Sequence, residues 1–310
     1  MPNNLSKYIL TTLVYYDVMD FPMTGFEVWK YLTVISNSEV ADKSEMFSLA
    51  EVIKTLEDEK LKKFIEEYRG YYFLRGRKEL VGQRMERNKI SERKIKIVKK
   101  VVWWLRFAPF VRSVAVAGRL AMKNAERKSD LDLFIILKKD KIFTGRLMVT
   151  LLVHLLGKRR HGAKICDRIC LNHFITKQFS VSGKDLFAAH EYAYLLPIFG
   201  GKAFGKFQAK NEWIRGYKPN FQFSPRNMHM ISDSRLTRLI RKTLERILRW
   251  DFIEKALGDW QKKRIAKNPK TQQKGGIILC SSEELAFWPN FENQGPKVFD
   301  KFQERLSSLK

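Results

Sequence analysis

The chain has 310 residues, 45% apolar and 13% aromatic, a globular composition with material for two or three domains that excludes a disordered or fibrous protein. Lys and Arg number 59 against 33 Asp and Glu, a net charge of +26. Such a field draws polyanions, nucleic acid first and an anionic membrane surface second, and disfavours a small cationic substrate.

The start of the chain lacks a signal-peptide pattern, because Met1 to Lys7 runs into a segment carrying Asp17 and Asp20. Leu5, Ile9, Leu13 and Val14 fall at helical spacing. After a break at Asp20-Phe21-Pro22, Thr24 with Glu27 and then Ser48 with Glu51 are capping boxes that open two further helices, separated by a polar loop from Ser36 to Glu45. The third helix carries Leu49, Val52, Ile53, Leu56 and Leu61. Residues 64–74 read as two strands around an Arg-Gly turn.

Three helices and a β-hairpin resemble a winged helix, predicted over residues 1–88. Winged helices often read DNA with the third helix and the wing. Here that helix mixes Glu51, Glu57, Asp58 and Glu59 with Lys54 and Lys60, while Arg69, Arg75, Arg77 and Lys78 lie on the wing side. The charge pattern fits DNA contact, docking on another part of the chain, or a dimer contact. Residues 79–107 form a basic helix with an apolar stripe of Ile90, Ile97, Val101 and Leu105; it packs one face, or lines a nucleic-acid groove. Trp103 and Trp104 are expected in a core or at a domain interface.

Two apolar runs follow, Val111 to Ala117 and Leu131 to Leu137, joined by a polar connection that opens with Gly118. Alternation on a strand puts Asp130 and Asp132 on one face and Leu131, Leu133 and Ile135 on the other. Like carboxylates on a mostly apolar strand repel each other, and their burial is costly without a partner. A divalent cation resolves the conflict, and oxygen ligation suits Mg²⁺.

The order strand, Gly118-Arg119, a spacer from Leu120 to Ser129, then Asp130-Leu131-Asp132-Leu133 resembles the DNA polymerase beta-like nucleotidyltransferase superfamily. The match covers the central third of the chain. It departs at Arg119, where a small residue is expected. The resemblance implies an α+β architecture: a winged helix, a small mixed-sheet core over residues 89–177 flanked by helices, and a mainly helical region over 178–310. It also implies that Gly118, Arg119 and Ser129 meet the triphosphate of a nucleoside triphosphate, while Asp130 and Asp132 hold two metal ions, Mg²⁺ or Mn²⁺. A further carboxylate is expected on a neighbouring strand, predicted over 165–176. Either Asp167 completes the metal site, or Asn172 fills the position as a neutral ligand.

Ile142 to Leu156 reads as a helix; its apolar stretch from Leu147 contains His154 and is too short to span a bilayer. Three cysteines do not make a disulfide framework, so a reducing cytoplasm is expected. Cys166 and Cys170, about 13 Å apart on one strand, cannot share a zinc and are expected in the core. Ser182 to Phe199 and Lys202 to Tyr217 read as helical, broken near Pro197 and Gly200-Gly201. His190 beside Glu191 is a proton-transfer pair or a core histidine. Arg235 to Lys267 is a basic amphipathic segment that docks on its own protein, on nucleic acid or on an anionic membrane. A linker from Lys267 to Gly276, a strand from Ile277 to Cys280, a loop over 289–296 and a helix from Lys297 to Leu309 close the chain. Two functions follow: a metal-dependent nucleotidyltransferase acting on a hydroxyl of RNA or protein, or an inactive relative that binds nucleotide or nucleic acid.

Overall fold

The computed structural model describes residues 4–35, 46–176, 181, 184–224, 229–272, 276–288 and 295–308. The loop predicted over 36–45 and most of that over 289–296 lie outside them. The chain is of mixed α+β class, and its helix starts follow local chemistry. The Thr24 hydroxyl accepts the Glu27 N–H at 3.2 Å while the Glu27 carboxylate accepts the Thr24 N–H at 2.9 Å, and Ser48 and Glu51 repeat the exchange.

The N-terminal elements are α1 (Asn4–Asp17), β1 (Met23–Thr24), α2 (Gly25–Lys30), α3 (Leu49–Leu56), α4 (Glu59–Lys62), β2 (Ile65–Tyr68) and β3 (Tyr71–Leu74). Arg69 and Gly70 both have positive φ, the backbone that a two-residue hairpin turn needs to match strand twist. β3 pairs with both β2 and β1, giving a three-stranded antiparallel sheet.

Next come α5 (Glu79–Leu105), β4 (Val111–Val116), α6 (Gly118–Ala121), β5 (Leu131–Leu137), α7 (Ile142–Leu155) and β6 (Ile169–Thr176). The rest comprises α8 (Leu186–Tyr194), β7 (Leu196–Phe199), α9 (Gly201–Lys210), α10 (Ile214–Tyr217), α11 (Arg235–Ile247), α12 (Asp251–Ala266), β8 (Ile277–Cys280), β9 (Glu284–Trp288) and α13 (Gly295–Ser308). A six-stranded sheet has the order β7-β4-β5-β6-β9-β8, with β5 and β6 parallel and every other pair antiparallel.

The C-terminal region therefore supplies three strands to the sheet as well as helices. The helical segment predicted over Ser182 to Phe199, with its break near Pro197, ends as a helix at Tyr194, since Pro197 would remove a helix hydrogen bond. Pro197 lies instead in β7, an edge strand, where its missing donor is tolerated. The segment predicted from Arg235 to Lys267 divides into α11 and α12 around residues 248–250.

Both faces of the sheet are covered, which is why β5 is almost continuously apolar. Leu131, Leu133, Ile135 and Leu137 join one buried cluster with Val98 and Val102 of α5 and Val149 and Val153 of α7. Phe134 and Ile136 join the other, with Phe204 and Phe207 of α9. That second cluster extends to Tyr15 and Tyr16 of α1, Tyr194 of α8 and Phe302 of α13, so the N-terminal helices share a core with the C-terminal ones. Among the described residues no helix is long and apolar enough to cross a membrane.

Gly200, at the turn from β7 into α9, has φ +78°, and a Cβ there would overlap the Arg112 carbonyl oxygen of β4. Backbone on one side and a left-handed conformation on the other leave no room for adjustment. Gly200→Ala is expected to lower unfolding stability by about 2–4 kcal/mol. Gly216→Ala, with open space around the new Cβ, is expected to be neutral or slightly stabilising. Urea denaturation of both variants checks the pair, and equal effects would contradict the packing described.

Candidate metal centre

Alternation along β5 places Asp132 on the face of Phe134 and Ile136, at the N-terminal mouth of the strand. Asp130 immediately precedes the strand. Residues 131 and 132 are in register with Ile169 and Cys170 of the parallel strand β6, so Cys170 stands beside Asp132. Ligand atoms of Asp130, Asp132 and Cys170 lie within 4.8 Å of one another, a group that could hold a metal ion.

Gly118 closes the site from β4. Its φ is +60°, and a Cβ there would stand 3.4 Å from Asp132 Oδ2. A side chain at this position would narrow the approach to the carboxylate. The Ala117 N–H donates to the Asp132 carbonyl at 3.0 Å, locking the turn to the strand. Glu191 on α8 stands by the Gly118 backbone, which favours its ionised form, and brings a third acid near Asp132.

The electrostatics follow from this crowding. Burial first, and Asp130 second, raise the Asp132 pKa to about 7; the Cys170 thiol and Arg160 act in the opposite sense. Burial and then Asp132 raise Glu191 to about 7 as well, against the Gly118 backbone. The Cys170 thiol is pushed up by burial and by both aspartates, so it stays protonated, whereas a metal ligand must be a thiolate. Arg160 Nη1 pairs with Asp130 Oδ2 at 2.5 Å and also donates to Cys170 Sγ at 3.5 Å. Asn172 Nδ2 donates to Asp132 Oδ1 at 3.1 Å. With the thiol protonated, the two carboxylates are the groups of this cluster that could hold a metal ion.

The loop that delivers Asp130 is held from behind by α5. Arg84 donates to the Met122 carbonyl at 3.0 Å, and Arg87 to Asn124 Oδ1 at 3.3 Å. Lys94, buried, donates to the carbonyls of Arg127 and Ser129 at 3.0 and 2.9 Å, and to Asp167 Oδ1 at 2.6 Å. A buried ammonium with three oxygen acceptors has its three donors satisfied. The basic face of α5 expected to pack or to line a groove is, at these positions, an internal clamp on the 122–129 connection.

Several expected site residues stand elsewhere. Asp167 is in the turn before β6, with φ +55°; its carboxylate pairs with Lys94 and is not in the aspartate group. The predicted strand starts four residues late, at Ile169, so Asp167 never enters the sheet. Arg119 points away from the aspartates, pairing with Glu126 at 3.2 Å and donating to the Asn124 carbonyl. The Ser129 hydroxyl donates to the Glu126 carbonyl at 2.9 Å. Asn172 stands beside Asp132 and turns its amide nitrogen to the carboxylate, so here it is a hydrogen-bond donor to Asp132.

Cys170, Glu191 and Arg160 come to the aspartates through the fold, which the sequence does not show. Cys166 is exposed and Cys170 lies in the site, so neither is simply a core cysteine. His190 and Glu191, expected as a proton-transfer pair or with His190 as a core histidine, are neighbours on α8 whose side chains diverge by about 100°. His190 is buried against Tyr15 and Tyr16, with Nδ1 3.3 Å from Tyr16 Oη, while Glu191 faces Gly118. Arg160 lies in the basic run Lys158 to His161 after α7, and only the fold brings it to Asp130. Comparison with protein-family models, with curated proteins and with solved structures finds no match for this chain.

A raised carboxyl pKa means that the folded state keeps a proton the unfolded chain has lost. Between the unfolded value of about 3.9 and about 7, the folded state binds more protons, so stability falls as pH rises and levels off above that window. Asp132→Asn removes this contribution. In metal-free buffer, the variant is expected to match the wild type near pH 4 and exceed it at pH 8, by a margin on the order of a few kcal/mol. Urea melts across that range provide the check; a pH-independent difference would mean that Asp132 is not the titrating group.

Proposed function

We propose that this chain is a metal-dependent nucleotidyltransferase, moving a nucleoside monophosphate from a nucleoside triphosphate to a hydroxyl of RNA or protein. The observation that carries the reading is the desolvated Asp130–Asp132 pair on one face of β5, opposite the Gly118 turn. Its sequence pattern resembles the polymerase beta-like superfamily, and the N-terminal helices and hairpin are read with it as a winged helix.

In this reading Asp130 and Asp132 hold one Mg²⁺ or Mn²⁺ ion. Bound there, the ion supplies Lewis acidity to the phosphoryl centre and lowers the pKa of a coordinated hydroxyl. Gly118, lacking a Cβ, lets the triphosphate come close to the backbone. Arg160, partly exposed and now on Asp130, exchanges that carboxylate for phosphate oxygens as negative charge grows on the leaving pyrophosphate. Glu191, with its pKa raised to about 7, is suited to accept the acceptor hydroxyl's proton. The acceptor oxygen bonds the α-phosphorus, the bond to the bridging oxygen breaks, and pyrophosphate leaves.

One observation favours the alternative of a binding protein without transfer. Cys170 and Asn172 occupy the β6 positions where the resemblance leads one to expect a carboxylate. A single ion, rather than two, then organises the substrate.

Incubation with each α-labelled nucleoside triphosphate, Mg²⁺ or Mn²⁺, and total cellular RNA and protein separates the readings. Label is expected to pass to one acceptor class, and to fall at least about a hundredfold in Asp130→Asn/Asp132→Asn. Nucleotide binding without transfer in either protein would leave the alternative standing and sink the enzyme.

A further inference from the structure

Helix α11 is amphipathic, yet it docks through its polar side. Thr237 is fully buried on a hydrogen bond to the Ser234 hydroxyl. Arg241 pairs with Asp233 at 2.6 Å and donates to the Arg106 carbonyl at 2.7 Å. Glu245 accepts from the Phe110 N–H at 2.9 Å and pairs with Arg112 at 2.7 Å. These residues recur every four positions and define the side turned to the protein.

The opposite side carries the apolar residues. At 100° per residue, Leu236, Leu239, Ile240 and Ile247 form one stripe along the helix. Leu236 and Leu239 are each 63% exposed and Ile247 is 60% exposed. Just past the helix end, Trp250 and Phe252 are exposed as well, the latter at 70%. The same spacing sets Arg235, Arg238, Lys242 and Arg246, all exposed, in a row along the edge of the stripe beside Leu239. The one acid of α11, Glu245, faces inward, so nothing on the outer surface of the helix balances that row.

An occupant must meet both halves of this surface. A polyanion such as RNA would satisfy the cations and leave Leu236, Leu239 and Ile247 in water. A second copy would cover the leucines but bring its own uncompensated cationic row to the interface, with a net charge of +26 on each chain. An anionic lipid surface answers both, since it takes apolar side chains at the acyl boundary and Lys and Arg at the headgroups. Trp250 fits the same depth, where indole rings concentrate.

We propose that α11 lies in the plane of an anionic membrane surface, with Leu236, Leu239 and Ile247 inserted and Arg238, Lys242 and Arg246 on the headgroups. The proposal stands independently of the metal centre. Trp103 and Trp104 of α5, expected in a core or at a domain interface, are not in the core, being 40% and 48% exposed, and Arg106 links Trp103 to the segment before α11.

Flotation of the full chain with phosphatidylcholine vesicles, with and without phosphatidylglycerol, tests the proposal. The wild type is expected to float only with the anionic vesicles, and less so as salt rises. Arg238→Gln/Lys242→Gln/Arg246→Gln is expected to weaken partitioning about a hundredfold, and Leu236→Ser/Leu239→Ser/Ile247→Ser at least about tenfold. Because these side chains are exposed, the thermal melts of both variants should match the wild type. Phe252→Ser, a single exposed change, is expected to weaken flotation in the same direction and serves if a triple variant unfolds. Failure of the wild type to float overturns the proposal, as does undiminished flotation of the apolar variants. A wild-type dimer that the apolar variant dissociates, with no flotation of either, would assign the stripe to a second copy instead.

Discussion

Two like charges on one face of one strand set the terms for the centre of this molecule. Asp130 and Asp132 share the side of β5 that, two residues further on, becomes hydrophobic core at Phe134 and Ile136. They cannot be hydrated as freely as surface acids, and they cannot move apart without losing the β4–β5 and β5–β6 pairing. The surroundings divide the cost. Arg160 neutralises Asp130, Asn172 and Cys170 donate to Asp132, and Asp132 holds a proton well above the usual carboxylate range. Glu191 adds a third acid on the far side of Gly118, which intensifies the repulsion where a structural site would relieve it. Desolvated negative charge gathered in this way could hold a cation, the basis of the proposed function.

The positive charge of the chain serves at least two purposes. Part of it is internal. Arg84, Arg87 and Lys94 are buried on one side of α5 and fix the connection that carries Asp130, so a helix with no side chain in the metal group still sets its position. Arg77 acts similarly in the N-terminal region, where it joins Asp17 at 2.9 Å to Asp20 at 2.7 Å. The remainder includes the exposed row along α11. Net charge alone does not separate the two uses; burial and partner geometry do.

Features governed by neighbours in sequence were legible before the fold was known. The capping boxes at Thr24 and Ser48, the Arg69-Gly70 turn and the face shared by Asp130 and Asp132 depend on a few consecutive residues each. The bounds of β5 and the strand at Ile277 to Cys280 belong to the same class. Whatever depended on tertiary placement was not legible. Asp167 lies only five residues before Asn172, yet the turn with positive φ at Asp167 keeps it out of the sheet and on Lys94. Glu191 and Arg160 reach the site from elements far from β5 in sequence. The four-residue strand β7 is too short for periodicity to mark it, and the inverted docking of α11 follows from Arg241 and Glu245 finding partners that only the fold supplies.

The central claim is that the aspartate pair holds a divalent cation together with a nucleotide. Electron paramagnetic resonance of Mn²⁺ in the presence of the wild-type chain, and of Asp130→Asn/Asp132→Asn, reads it most directly. One tightly held ion per chain should appear in the wild type, bound more firmly with nucleoside triphosphate, weakened as pH falls through about 7, and absent from the variant. Equal Mn²⁺ binding by the two proteins, or none by either with nucleotide present, would contradict the account.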